Sequence, residues 1–283
     1  MDYSQYPLSG KMYGGSEKKI GILIDNEKYI VKFQKDSMTG LRFNHVSEYL
    51  GSHIFALLGF DAQETYLGTY NNQNVVIMKD FLSAGAQFVP FNEVGESSLD
   101  VDKEKVQYTY TDIMKMLHAN KKLTDVDKTI DVFWDMYIVD ALIGNFDRHG
   151  MNWGFIKKDN RYSLAPIFDN GSALFPQMND EEEMLRIINN QKEIDKRVYE
   201  FPTSQIKLRG KKTSYYKVIN SLQFRECNTA LSRIHSRINM EAIYKLIDDL
   251  DCITPTHKQF YKVMLQNRYE RILKSCYEKL EGV

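Results

Sequence analysis

The stretch Gly144-Asn145-Phe146-Asp147-Arg148-His149-Gly150-Met151-Asn152 decides how the rest of the chain is read. It follows a segment, 126–143, in which Ile130, Phe133, Trp134, Tyr137, Ile138, Ala141 and Leu142 recur on one helical face. Asp125 or Thr124 can cap that helix, and Gly144 can end it. Downstream, 153–156 and 162–165 make a hairpin pattern about Lys157-Lys158-Asp159-Asn160. The second strand runs on through Pro166-Ile167-Phe168 to Asp169-Asn170-Gly171. A buried helix therefore opens into a polar loop, a hairpin and a second carboxylate.

Asp147 and Asn152 are separated by four residues, the spacing between the catalytic Asp and the metal-binding Asn of protein kinase catalytic loops. In that reading Asp147 accepts the proton of a substrate hydroxyl and the Asn152 amide oxygen binds Mg2+. Asp169, at a strand end beyond the hairpin, stands where kinases carry their second metal ligand, and hard oxygen donors suit magnesium. Any one of these residues alone is ordinary turn chemistry, because Asp and Asn readily bond their own backbone. The joint spacing on one helix–loop–hairpin frame is what points to catalysis. His149, in the same motif, reads as a support of the catalytic loop that bonds backbone carbonyls.

Upstream, 20–24 and 29–33 are β-rich runs about the turn Asp25-Asn26-Glu27. A helical pattern covers 43–58 and stops at Gly59. Strands at 65–69 and 75–78 then flank Asn71-Asn72-Gln73-Asn74. Lys32 lies in the second strand and Glu48 on the helix, the pair that in kinases holds the ATP phosphates. Before the first strand comes Tyr13-Gly14-Gly15-Ser16-Glu17-Lys18-Lys19. Gly14 and Gly15 allow backbone N–H groups to approach phosphate, Ser16 reads first as a loop serine and otherwise as a phosphate contact or an autophosphorylation site, and Lys18 or Lys19 could add charge. Met78, Lys79, Asp80 and Phe81 form the junction where a kinase hinge holds adenine through its backbone.

The expected architecture is α+β and two-lobed. Residues 1–82 form a small β-rich N-lobe with one helix, and 83–283 form a large, mainly helical C-lobe. The segment 85–103 reads as an irregular connector, and 240–280 as two helices separated near Pro255. Lys and Arg number 37 against 38 Asp and Glu, so no overall positive field recruits nucleic acid or membrane. Three widely spaced cysteines, Cys227, Cys252 and Cys276, suit neither a disulfide framework nor a zinc site. No segment has the apolar length of a signal peptide or a transmembrane helix. The expectation is a soluble, cytoplasmic protein, with signal-independent export left open.

The chain resembles the HipA-like serine/threonine kinases, most closely their compact, Helicobacter-type members. The resemblance rests on Gly14-Gly15-Ser16-Glu17-Lys18, Ile30-Val31-Lys32-Phe33, Glu48 with its helix, the run 143–153, Leu164-Ala165-Pro166-Ile167-Phe168-Asp169, and a basic loop at Gly210-Lys211-Lys212. It implies a two-lobed kinase-like fold, ATP and Mg2+ as cofactors, and transfer of phosphate to Ser or Thr of a protein substrate. It also implies Asp147 as base, Asn152 and Asp169 as metal ligands and Lys32 on the ATP phosphates. An antitoxin or regulatory partner and a toxin or effector role follow from the same likeness. HipA itself carries a further N-terminal subdomain for which this chain has no room, and Ser9 and Ser16 are the two candidates for the family's regulatory serine. Two rival readings stand beside this one: a small-molecule or lipid kinase on a related fold, and a nucleotide-binding pseudokinase.

Overall fold

In the computed structural model, the described residues are 1–14, 18–38, 40–96, 109–118 and 125–282. The N-terminal part is built on a four-stranded antiparallel sheet, order β1-β2-β6-β5. Its strands are β1 (Lys19–Ile24), β2 (Glu27–Phe33), β5 (Thr65–Tyr70) and β6 (Gln73–Lys79). A minor ribbon of β3 (Asp36–Ser37) and β4 (Gly40–Leu41) precedes α1 (Asn44–Leu57). Both tight hairpins close through two residues with positive φ, Asp25-Asn26 and Asn71-Asn72, which is why Asp and Asn occupy them. Ile22, Val31, Val75 and Ile77 fill one face of the sheet at zero exposure, following the two-residue strand period.

The C-terminal part carries β7 (Gln87–Pro90), α2 (Phe91–Glu96), α3 (Tyr110–His118) and α4 (Val126–Ile143). The hairpin β8 (Gly154–Lys158) and β9 (Arg161–Leu164) follows. Strand β7 pairs with β8 in register Gln87↔Lys157 to Pro90↔Gly154, so the sheet is three-stranded and not the two-stranded hairpin expected. The segment expected as connector thus includes a strand and a short helix, and its residues 97–103 lie outside the described set. Asp125 caps α4 by accepting the Lys128 N–H at 2.9 Å, and Gly144 ends it with φ 65°. From Phe133 to Ile143 the helix is buried on every side, where the sequence indicated one face; it is the axis of the large core.

Beyond the loop come α5 (Glu181–Ile188), α6 (Gln191–Asp195) and a π-helical turn at Lys196–Glu200. A second hairpin, β10 (Thr203–Leu208) and β11 (Lys211–Ser214), leads into α7 (Tyr215–Asn220), α8 (Arg225–His235) and α9 (Met240–Asp248). The chain finishes with α10 (Pro255–Arg268), a π-helical stretch Tyr269–Lys274 and α11 (Ser275–Glu281). Pro255 sits in the first turn of α10 behind the Thr254 cap, where its missing N–H costs nothing. No described helix is long and apolar enough to cross a membrane.

Candidate active site

Three charges meet where β2, α1 and the segment after β9 converge. Lys32 Nζ lies 3.0 Å from Glu48 Oε2 and 3.0 Å from Asp169 Oδ1. Lys32 is on the central strand β2, paired with Lys19 on one side and Val76 on the other, so its backbone is fixed before the side chain makes any contact. Glu48 is fully buried on α1. Its Oε1 accepts the Asn170 N–H at 2.6 Å and its Oε2 the Gly171 N–H at 3.1 Å. One helix carboxylate therefore holds both the lysine and the backbone that follows Asp169. Gly51 lets that backbone come close, because a Cβ there would collide with the Asn170 side chain.

Asp169 itself has φ 57°, a left-handed conformation that its surroundings must hold in place. Its segment is pinned to the N-terminal part by Ile167, which donates to Asp61 O (2.8 Å) and accepts from the Gln63 N–H (2.9 Å). Burial alone would raise the Asp169 carboxyl. The Lys32 charge and hydrogen bond, with Lys19 and Arg148 behind it, outweigh burial and hold it below the usual carboxylate range.

The loop 144–152 winds around the Asp147 carbonyl, which accepts from the His149 N–H and from the Asn152 side-chain amide, each at 2.8 Å. With its nitrogen so engaged, Asn152 turns its amide oxygen elsewhere. The Asp147 carboxylate makes no hydrogen bond among the described residues; its nearest charge partner is His149 Nε2 at 3.8 Å, and both side chains are nearly half exposed. His149 Nδ1 accepts the Met151 N–H at 3.2 Å. The neutral ring thus carries its proton on Nε2, the nitrogen toward Asp147. The histidine bonds a backbone N–H, and not a carbonyl as the sequence suggested.

Arg148, which the sequence reading passed over, ties the two halves together. Its guanidinium bonds Asp140 twice (2.9 and 3.1 Å), the Asn152 carbonyl (3.1 Å), the Phe168 carbonyl and the Asn170 side chain. Burial pushes the Asp140 carboxyl up despite that pairing. A carboxylate inside the apolar run Val139-Asp140-Ala141 was the available signal, since a buried charge demands a partner.

Lys32, Glu48, Asp147, His149, Asn152 and Asp169 line a single cleft of about 760 Å³ that also reaches Met78, Asp80 and Phe81. Its apolar end is made by Ile30, Met78 and the packed rings of Phe81, Phe88 and Phe168. Lys79 is not part of it. Its side chain alternates to the other side and pairs with Glu27 at 2.8 Å, while its N–H and C=O bond Glu64 and Gln63. The Asp80 carboxylate binds Lys11 (2.6 Å) and Tyr13 (2.9 Å), closing the N-terminal segment against the cleft. Gly14 lines the cleft, and its carbonyl accepts from Lys19 at 3.3 Å. Lys18 instead lies over the Phe33 ring at 4.2 Å, and Lys19 is the lysine that enters the cleft. Gly15 and Ser16 lie outside the described residues.

Residues 12–250 match the HipA-like C-terminal domain. The chain is 35% identical over 271 residues to the serine/threonine-protein kinase CtkA of Helicobacter pylori, covering 93% of this chain and 83% of that protein. The crystal structure of a Helicobacter pylori proinflammatory kinase CtkA superposes with a TM-score of 0.92 at 33% identity, over 100% of this chain and 99% of that one. HipA of Shewanella oneidensis, in its complex with HipB and operator DNA, gives a TM-score of 0.63 at 16% identity over 98% of this chain and 68% of that chain. That last likeness is one of fold, a two-lobed kinase-like α+β architecture.

Proposed function

The chain belongs to the HipA-like C-terminal domain family, and we propose that it is an ATP- and magnesium-dependent protein kinase that phosphorylates Ser or Thr. The observation that carries this reading is the Lys32–Glu48–Asp169 cluster facing the unbonded carboxylate of Asp147 across one cleft. The adenine lies against Ile30, Met78 and the Phe81, Phe88 and Phe168 rings. Since the Lys79 N–H and C=O and the Asp80 N–H are bonded within the protein, adenine is left the Asp80 carbonyl and the Phe81 backbone. Lys32 and Lys19 orient the phosphates. Gly14 lines the cleft near the phosphates, Gly15 and Ser16 remain candidates on sequence alone, and Lys18 supplies only background charge.

Asp169 and the Asn152 amide oxygen fit a magnesium ion. They are hard oxygen donors, one carboxylate and one amide, and magnesium commonly takes its remaining ligands from phosphates and water. The ion supplies neutralisation of charge on the transferring phosphoryl group. Asp147 accepts the hydrogen bond of the acceptor hydroxyl, aligns its oxygen with the γ-phosphorus and takes its proton as the new P–O bond forms and the bond from the γ-phosphorus to the bridging oxygen breaks, releasing ADP. His149 is placed to steady that carboxylate through Nε2. The division into lobes at 82/83 belongs to the same proposal, with the cleft between them. A protein substrate, an antitoxin or regulatory partner and a toxin or effector role in the cytoplasm, or after export, are the biological setting we attach to it.

Incubation of the protein with γ-labelled ATP and Mg2+, followed by mass spectrometry of the protein and of added Ser/Thr peptides, tests the reading. Phosphoserine or phosphothreonine is the expected product. ATP binding with no transfer, or transfer only to small molecules or lipids, would contradict it.

A further inference from the structure

The β10–β11 hairpin joins the loop that carries Asp147 and has no role yet assigned. The Gln205 side chain on β10 donates to the Phe146 carbonyl at 3.2 Å, one residue before Asp147. Tyr215, directly after β11, donates its hydroxyl to the Asn145 carbonyl at 2.6 Å. Ile206, Ser204 and Ser214 are buried beneath the hairpin. Both strands are thus tied to the two residues that set the position of the catalytic carboxylate, so the hairpin moves with it.

The charge on this rigid element is one-sided. Residues 203–214 read Thr-Ser-Gln-Ile-Lys-Leu-Arg-Gly-Lys-Lys-Thr-Ser: four cations and no acid, in a chain whose net charge is −1. Lys207 and Lys212 are direct cross-strand partners, which puts two like charges side by side on one face. Directly opposed like charges destabilise a hairpin. Some surface cations elsewhere in this protein find carboxylates, as Lys245 finds Asp249 at 2.8 Å and Lys262 finds Asp248 at 2.6 Å, while others, such as Lys28 and Lys192, find none among the described residues. Lys207, Arg209, Lys211 and Lys212 form no ion pair among the described residues. Arg209 and Gly210, both at positive φ, form the exposed tip.

We propose that the β10–β11 hairpin is the substrate-docking element of this kinase, and that it selects protein segments with Asp or Glu near the acceptor Ser or Thr. The inference rests on the kinase reading above and adds its substrate class. Distance sets the register. At about 3.3 Å per residue, Lys207 lies about 7 Å along β10 from the anchor at Gln205, and Arg209 lies just beyond the strand's end, at the tip. An extended substrate has the same rise, so the favoured carboxylates lie two to four residues from the acceptor. The pairs are exposed and act mainly on encounter and orientation, so their effect is modest and sensitive to salt.

The test uses the full chain and two dye-labelled Ser peptides, one with Glu two to four residues either side of the acceptor and one with Ala there. Binding is read by fluorescence anisotropy at low and high salt, and phosphorylation by mass spectrometry. The acidic peptide should bind the wild type more tightly at low salt, by roughly three- to tenfold. Lys207→Ala/Lys212→Ala should erase that preference, raising KM for the acidic peptide with kcat and ATP affinity unchanged and melting temperature not lowered. Lys207→Arg/Lys212→Arg should keep it, which guards against a folding artefact. Equal binding of the two peptides to the wild type would overturn the proposal, as would a preference that survives the double Ala change. Displacement of the acidic peptide by equimolar labelled RNA, itself bound more tightly, would assign the hairpin to nucleic acid and also overturn it. Failure of ATP to be used at all, with the acidic preference in binding intact, would count against the kinase reading and not against the docking surface.

Discussion

The two sides of the cleft are built on opposite principles. On one side Lys32, Glu48 and Asp169 are paired before any ligand arrives; Lys32 is 3% exposed and Glu48 not at all. On the other side Asp147 and His149 stand half in water, and the Asp147 carboxylate is bonded to nothing in the described chain. In the function proposed above the first side holds the nucleotide, and it gains from being organised in advance, because a charge fixed in a protein environment acts on phosphate without reorganising water. A proton acceptor must be reachable by a macromolecular hydroxyl, and so has to be exposed. The contrast separates stability from chemistry: changes on the buried side should damage both, whereas changes on the exposed side should damage chemistry alone.

The largest loss of stability should come from Glu48→Ala. It strands the Lys32 ammonium and the N–H groups of Asn170 and Gly171, and breaking one partner of a buried pair costs about 3–5 kcal/mol. Thermal melting should fall by roughly ten degrees. Adding Lys32→Ala should cost far less than it does alone, because its partner is already gone. Strictly additive losses would mean that the two residues act separately.

Next in size is an acid effect on the α1 side of the molecule. His45 and His257 flank Phe43, and burial pushes each ring down to about 4. A histidine whose folded value is depressed favours the neutral ring, so its contribution is complete above the unfolded value of about 6.5 and is lost as pH falls toward 4. At pH 5 each costs about 2 kcal/mol. Melting curves at pH 7.5 and 5.0 should show the drop, and His257→Gln should shrink it. An unchanged drop in that variant would shift the cause elsewhere.

Asp169→Asn should be milder for the fold. It removes the Asp169 contact on Lys32 and leaves the Glu48 contact in place, from a side chain that is a third exposed, so melting should shift by only a few degrees. Its effect belongs to the ligand: isothermal titration should show Mg-ATP affinity falling at least tenfold, with nucleotide binding in EDTA little changed. Equal affinity in magnesium would remove Asp169 from the metal site.

How much of this could be read from the sequence follows the same local-versus-distant divide. The turns at Asp25-Asn26, Asn71-Asn72 and Asp159-Asn160 were legible because these residues tolerate the positive φ that each adopts. Helix α4 was legible to its end residues, since Asp125 and Gly144 punctuate an apolar pattern. Lys32, Glu48, Asp147, Asn152 and Asp169 stood out through spacing and element order, and the structure places all five on one cleft.

What was hidden depends on distant partners. Strand β7 is four residues long and acquires its identity from β8, some seventy residues later. The β10–β11 hairpin read as a basic loop, because KLRGKK has no alternation of apolar and polar residues. Arg148 looked like one more polar loop residue, yet its partners Asp140, Asn152, Phe168 and Asn170 are brought to it only by tertiary packing. Which of Lys18 and Lys19 enters the cleft is a one-residue choice at the start of an alternating strand, which pattern alone does not resolve.

The most direct test of the contrast between the two sides is Asp147→Asn, measured for nucleotide affinity, melting temperature and phosphoryl transfer on one preparation. The change is nearly isosteric at a half-exposed position whose side chain holds nothing in place. Melting temperature and ATP affinity should stay at wild-type values while phosphoryl transfer falls by roughly a hundredfold or more. Full transfer activity in that variant would remove Asp147 from the mechanism, and a collapse of ATP binding or of the fold would contradict the separation of the cleft into a structural half and a chemical one.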